Sequence, residues 1–194
     1  MLCKDLGFDG IDINMGCPSK SVAASGSGAA LIKTPDLAHA IVRAARQGLE
    51  DWAGGQSIHS QGFKPSRIEF IHTLNHSRSG VPVVPRRLLP LSIKTRLGFD
   101  CVVVERWVEH LLEVCPAAIT LHGRTLQQMY RGAADWSAIA EAAKLAHGTG
   151  TLMLGNGDLN TLVDAIRRAA ESKVQGVLVG RGTLGSPWFF REKE

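Results

Sequence analysis

Five short apolar runs punctuate the chain, and each ends in a cluster of polar residues. They are Gly10 to Asn14, Leu91 to Arg96, Ala117 to His122, Thr151 to Gly155 and Gly176 to Gly180. Runs this short, rich in Ile, Leu and Val and bounded by Gly, Pro and polar residues, predict buried strands. Helical periodicity fills the intervals. Val103 to Val114 repeats Val104, Trp107, Val108 and Leu111 on one face, and Ser137 to Ala146 and Thr161 to Glu171 follow the same pattern. Thr34-Pro35-Asp36 supplies an N-cap with Pro at the first helical position, so a helix starts there, turns Leu37, Ile41, Ala44 and Ala45 inward and ends near Gly48. A short helical piece ending near Lys33 precedes it, and Met1 to Leu6 reads as a helix tail that Gly7 terminates. Strand and helix alternate five times. Parallel neighbours need helical crossovers and antiparallel ones do not, so the pattern predicts an α/β fold with a parallel sheet.

The periodicity weakens between Leu49 and Pro90, where Gly54-Gly55, Gly62, Gly80 and several prolines interrupt it and leave one helix, Ser66 to Ser77. Connections in α/β units usually take two to about six residues, so residues 49–90 form an insertion. Its charge is lopsided. Between residues 59 and 87, Lys64, Arg67, Arg78, Arg86 and Arg87 stand against the single acid Glu69, with His59, His72 and His76 interspersed, while the whole chain carries only +4. Such a stretch is either a solvated loop or a surface that meets a phosphate backbone.

Composition narrows the class. With 44% hydrophobic and 21% charged residues the chain can build a globular core, and its 194 residues make it short for a complete (β/α)8 barrel of about 250. Cys3, Cys17, Cys101 and Cys115 include no C-x-x-C pair, so neither a disulfide framework nor a metal site is expected from them. No apolar run approaches the ~18 residues of a membrane span and no signal-like core opens the chain, which gives the expectation of a cytoplasmic protein with no membrane partner.

The chemistry gathers at the strand ends: Asn14 with Cys17, Lys94 with Arg96, His122 with Arg124, Asn156 with Asp158, and Gly180 with Arg181. In a parallel barrel all strands end on one rim, so these five tips should converge. Gly155-Asn156-Gly157-Asp158 and Gly180-Arg181-Gly182 are glycine-rich turns on consecutive strands, where backbone N–H groups and an Arg suit a phosphate. A tight loop is the plainer reading of either alone. Lys94, costly to bury unpaired, should point into the mouth towards an anion or a ring acceptor, with His122 beside it. Cys17 sits on a sharp Asn-Met-Gly-Cys-Pro turn at a strand's carboxyl end, although a single Cys is more often a small buried hydrophobe.

Those segments resemble the FMN-dependent tRNA-dihydrouridine synthases. The likeness rests on Asp12-Ile13-Asn14-Met15-Gly16-Cys17-Pro18, Ile93-Lys94-Thr95-Arg96, Leu121-His122-Gly123-Arg124-Thr125, Gly155-Asn156-Gly157-Asp158, Gly180-Arg181-Gly182 and Gly185-Ser186-Pro187-Trp188, in that order along the chain. The resemblance implies a TIM barrel in which FMN, reduced by NADPH or NADH, passes hydride to C6 of a uracil in tRNA while Cys17 protonates C5. It further implies that Lys94 and His122 contact the isoalloxazine, that Asn156, Gly157, Asp158, Gly180 and Arg181 hold the ribityl phosphate end, and that Asn14, Arg96 and Arg124 line the uridine side. No metal enters this scheme. The basic insertion would grip tRNA through its phosphates, an inference from charge alone.

The family's barrel opens with strands that have no counterpart before Gly10, and it carries a helical C-terminal domain with no counterpart after Trp188. The expectation is therefore a single partial barrel over residues 1–194, with strands corresponding to barrel strands four to eight and strands one to three absent. Two other readings stay open: another FMN barrel oxidoreductase resembling dihydroorotate dehydrogenase, and a non-catalytic fragment that does not hold flavin.

Overall fold

A computed structural model describes residues 8–77 and 86–191. Within them five strands form one parallel sheet in sequence order: β1 (Ile11–Asn14), β2 (Leu91–Arg96), β3 (Ala118–His122), β4 (Leu152–Asn156) and β5 (Gly176–Leu178). The α-helices are α1 (Lys20–Ala24), α2 (Pro35–Ala53), α3 (Pro65–Ser77), α4 (Val104–Leu112), α5 (Trp136–Ala146) and α6 (Leu162–Ser172). Parallel order with helical crossovers is the α/β pattern of a partial (β/α)8 barrel. The expected fold class is thus the observed one.

Alternation along the strands sorts the residues onto two faces. One face carries Ile93, Thr95, Ile119, Leu121 and Met153, all essentially buried, beneath a helical layer that contributes Val42, Val108, Leu111, Ile139 and Ala142. Thr95 is the one polar member, and it is satisfied: its hydroxyl donates to the Met15 carbonyl and accepts from Trp107 Nε1–H. The other face carries Asn14, Lys94, Thr120, His122 and Asn156 and has no helical cover among the described residues. Register aligns its last row, with Arg96 beside His122 and His122 beside Asn156.

Several elements differ from expectation. Helix α2 runs through Gly48 to Ala53, because burial of Leu49 and Trp52 outweighs the modest cost of a helical Gly. Its fully buried apolar face is Ala38, Val42, Leu49 and Trp52; of the predicted stripe, Ile41 and Ala45 pack against the core, while Leu37 and Ala44 point outward. Helix α1 had no sequence signal, and β5 stops at Leu178 because Gly180 leaves the extended region and caps a 3-10 turn over Arg181–Thr183. The predicted helix over Met1 to Leu6 lies outside the described residues.

The insertion follows α2 and precedes β2, so it sits at the amino ends of the strands. It contains a 3-10 turn (Ile58–Gln61) and α3. Arg86 fastens it: its guanidinium donates to the carbonyls of Trp52 and Gln56, 2.8 and 3.1 Å away, and lies over the Trp52 ring.

Helix α5 meets the sheet where Trp136 covers Gly155, and a Cβ at Gly155 would stand 2.4 Å from the indole ring. The same indole donates to the Gly157 carbonyl at 3.1 Å. Gly155→Ala should therefore cost about 1–3 kcal/mol in urea unfolding. Combining it with Trp136→Leu should give less than the sum of the two single losses, since the clash is gone.

Candidate functional site

At the carboxyl ends of the strands the half-polar face opens into a cleft of about 350 Å³. Its wall includes Asn14, Cys17, Lys94, Arg96, His122, Asn156, Gly157, Asp158, Gly180 and Arg181, ten of the eleven residues that the sequence singles out. The exception is Arg124. It is buried behind the wall, where its guanidinium donates to both oxygens of Asp158 at 2.8 and 2.7 Å and to the Gly132 carbonyl. Arg124 therefore does not reach the cleft wall; its Nε and Nη2 donors are engaged inside the protein, and its Nη1 is buried without a partner among the described residues. Tyr130 does line the cleft, with the Arg181 guanidinium 5.0 Å from its ring centroid. Only its place in the loop after β3, as the single Tyr of the chain, could have marked it.

Cys17 is half-buried on a tightly held turn. The Asn14 side-chain oxygen accepts from Gly16 N–H at 3.0 Å, and Met15 N–H donates to the Lys94 carbonyl at 2.7 Å. From behind, Arg96 Nε–H donates to the Gly16 carbonyl at 2.8 Å, and its Nη1 donates to the carbonyls of Thr125 and Met129. Arg96 reaches the cleft wall, yet these donors are already committed to backbone. Gly28 closes the turn from the other side. Its φ of +61° suits glycine, and a Cβ there would lie 2.9 Å from the Cys17 carbonyl oxygen.

The cleft is electropositive. Lys94 is half-buried, and burial first, then the Arg96 charge, lowers its pKa against the opposing pull of Asp12. Its ammonium has no hydrogen-bond partner among the described residues. Burial also leads the shift of His122, helped by the charges of Arg96, Lys94 and Arg124, which together push its pKa down to about 3. The ring is neutral at pH 7, with one nitrogen donating and the other accepting. At Asp158 burial pushes the carboxyl up, but hydrogen bonds from Arg124 and the Ala134 N–H and the charges of Arg124 and Arg181 outweigh it, so the group titrates below its ordinary range. Asp158 thus braces Arg124 and, at 3.4 Å, Arg181. A carboxylate held this way orients cations and is not itself an anion receptor.

A family model described as "Dihydrouridine synthase (Dus)" matches residues 1–51 and 76–194. The chain belongs to the dihydrouridine synthase family. It is 33% identical over 193 residues to "Probable tRNA-dihydrouridine synthase 2" of Bacillus subtilis, covering 98% of this chain and 47% of that protein. Proteins named as probable tRNA-dihydrouridine synthases from Rhodobacter capsulatus and Aquifex aeolicus are 32% and 29% identical, over 96% and 99% of this chain and 46% and 49% of their own lengths. The chain spans about half the length of these curated relatives.

The family match skips residues 52–75, the body of the insertion. Its position at the amino ends of the strands sets it on the end of the sheet opposite the cleft. Of its five cations, Arg86 is bound to backbone, Arg87 pairs with Asp9 at 3.5 Å, Lys64 and Arg67 are exposed, and Arg78 lies outside the described residues. The described cations of the insertion are therefore not a continuation of the cleft's positive wall.

His122 gives the site a pH signature. Between about pH 3 and 6.5 the unfolded chain binds a proton on this ring that the folded chain does not, so stability rises with pH across that window and falls as acid is added. His122→Asn should flatten the upper part of that slope by up to about 1 kcal/mol per pH unit, read by urea unfolding at a series of pH values.

Proposed function

We propose that this chain carries the flavin-holding and base-reducing part of a tRNA-dihydrouridine synthase, reducing a uridine in tRNA to 5,6-dihydrouridine. What carries the reading is the meeting, in one cleft, of a half-buried cysteine on a braced turn, an unpaired lysine and a neutral histidine. The five strands are read as strands four to eight of the family's barrel, and the protein as cytoplasmic. Among the described residues no helix is long and apolar enough to cross a membrane.

The residues present fit an FMN. Arg181 stands beside Gly180, whose missing Cβ would meet nothing within 4 Å, so the backbone there is open to an anionic group. Arg181, Asn156, Gly157 and Gly180 would hold the phosphate end, and Lys94 with neutral His122 the ring. When bound and reduced by NADPH or NADH, FMN supplies the hydride that adds to C6 of the uracil.

Cys17 then completes the reduction of the C5=C6 bond by giving its Sγ proton to C5, and the thiolate regains a proton from solvent before the next turnover. Asn14, whose side-chain oxygen is occupied by Gly16 N–H, still has its amide N–H groups to orient a uracil carbonyl. Lys94, on the adjacent position of β2, would stabilise negative charge developing on the ring. The base must leave its stack to enter a cleft of this size.

Cys17→Ala should lower dihydrouridine formation by about 10²-fold or more while flavin absorbance stays with the purified protein. Activity equal to the parent would overturn the assignment of Cys17. Loss of flavin together with activity would point instead to a structural role for the turn.

A further inference from the structure

The insertion contains a feature that reduction of a base does not use. His59, on the 3-10 turn, and His72, on α3, bring their Nε2 atoms within 3.3 Å of each other, with ring centroids 5.5 Å apart and planes tilted by 31°. Both side chains are exposed. As a hydrogen bond between neutral rings this contact is long, and in water such a bond contributes little. As a pair of metal ligands the spacing has a different meaning. Two Zn–N bonds of about 2.0–2.1 Å meeting at the tetrahedral angle set their nitrogens about 3.3–3.4 Å apart.

We propose that His59 and His72 form a binding site for a transition-metal dication of the Zn²⁺ type, which ties the 3-10 turn to α3. Two further observations support it. The dihydrouridine synthase family match leaves out residues 52–75, so His59 and His72 are not part of the matched family pattern. Finally, the 3-10 turn is joined to α3 through Gly62, so a metal cross-link would restrict a flexible connection. Neutral imidazole is the form that ligates, and it suits Zn²⁺, Cu²⁺ and Ni²⁺.

A second cluster serves as a control. His39, His110 and Glu113 bring donor atoms within 4.8 Å of one another. There the two rings stack face to face, 3.6 Å apart with 8° between their planes, and His39 Nε2 is engaged with the His110 carbonyl. The in-plane lone pairs of stacked rings run parallel and do not converge on one ion.

The test is calorimetric titration of the purified chain with Zn²⁺, repeated for His59→Ala, His72→Ala, His110→Ala and the double variant Cys101→Ser/Cys115→Ser, which removes two exposed thiols. The expected result is one equivalent bound by the parent chain, about tenfold or greater weakening in each of the first two variants, and unchanged binding in the others. Added Zn²⁺ should also slow proteolysis within residues 54–64 of the parent but not of His59→Ala. Absence of binding, binding that survives both His59→Ala and His72→Ala, or a loss confined to the His110 or cysteine variants would overturn the site. None of these readouts depends on flavin or turnover, so the proposal fails or stands separately from the catalytic one.

Discussion

One buried guanidinium holds the rim of this molecule together. Arg96, 4% exposed at the carboxyl end of β2, donates to carbonyls of three residues, Gly16, Thr125 and Met129, that belong to the turns after β1 and β3. Those carbonyls have no strand to pair with, and a planar fork of fixed geometry serves them where a lysine's single ammonium could not. The position of Cys17 follows, since Gly16 is its neighbour. The charge left in the rim also helps to strip the proton from His122 and to lower the pKa of Lys94.

A rim with Lys94, Arg96, Arg124 and Arg181 so close together would repel itself without an internal counterion. Asp158 is that counterion: both of its oxygens accept from Arg124 Nη2, one accepts a longer contact from Arg181, and it also takes the Ala134 N–H that starts the approach to α5. Removing one partner from such a partly buried pair leaves the other uncompensated, which is why these groups are better understood as a frame than as separate ligands. Arg124 and Asp158 carry the frame; Lys94 and Arg181 retain charge for whatever enters the cleft. The neutral ring of His122 sits between them and avoids adding a further positive charge.

Most of the sheet was legible because its signal is local. The strand β2 matched residue for residue, and the face Val104, Trp107, Val108 and Leu111 of α4 was read correctly, since apolar periodicity there is unambiguous. The convergence of ten site residues followed from one topological rule, that parallel strands end on the same side. What failed was whatever depends on side-chain reach across sequence. Nothing near Arg124 in the sequence shows that Asp158, thirty-four residues on, will claim it, and nothing near Leu37 shows that it points outward while Trp52 of the same helix is covered. The short β5 failed for a backbone reason, the departure of Gly180 from extended geometry.

In the insertion, topology decides where the positive charge is placed. In an alternating α/β chain, a segment after a helix and before a strand emerges at the strands' amino ends, whatever its composition. Positive residues there cannot join a cleft at the other end, several residues of β2 away. The same separation explains why the segment is tolerated. Extra length between α2 and β2 costs only a slowly growing loop entropy, and the rim is fixed independently by strand register and by Arg96. A region so decoupled is free to acquire chemistry of its own, and among its described residues the paired imidazoles of His59 and His72 have the donor spacing that such chemistry would need.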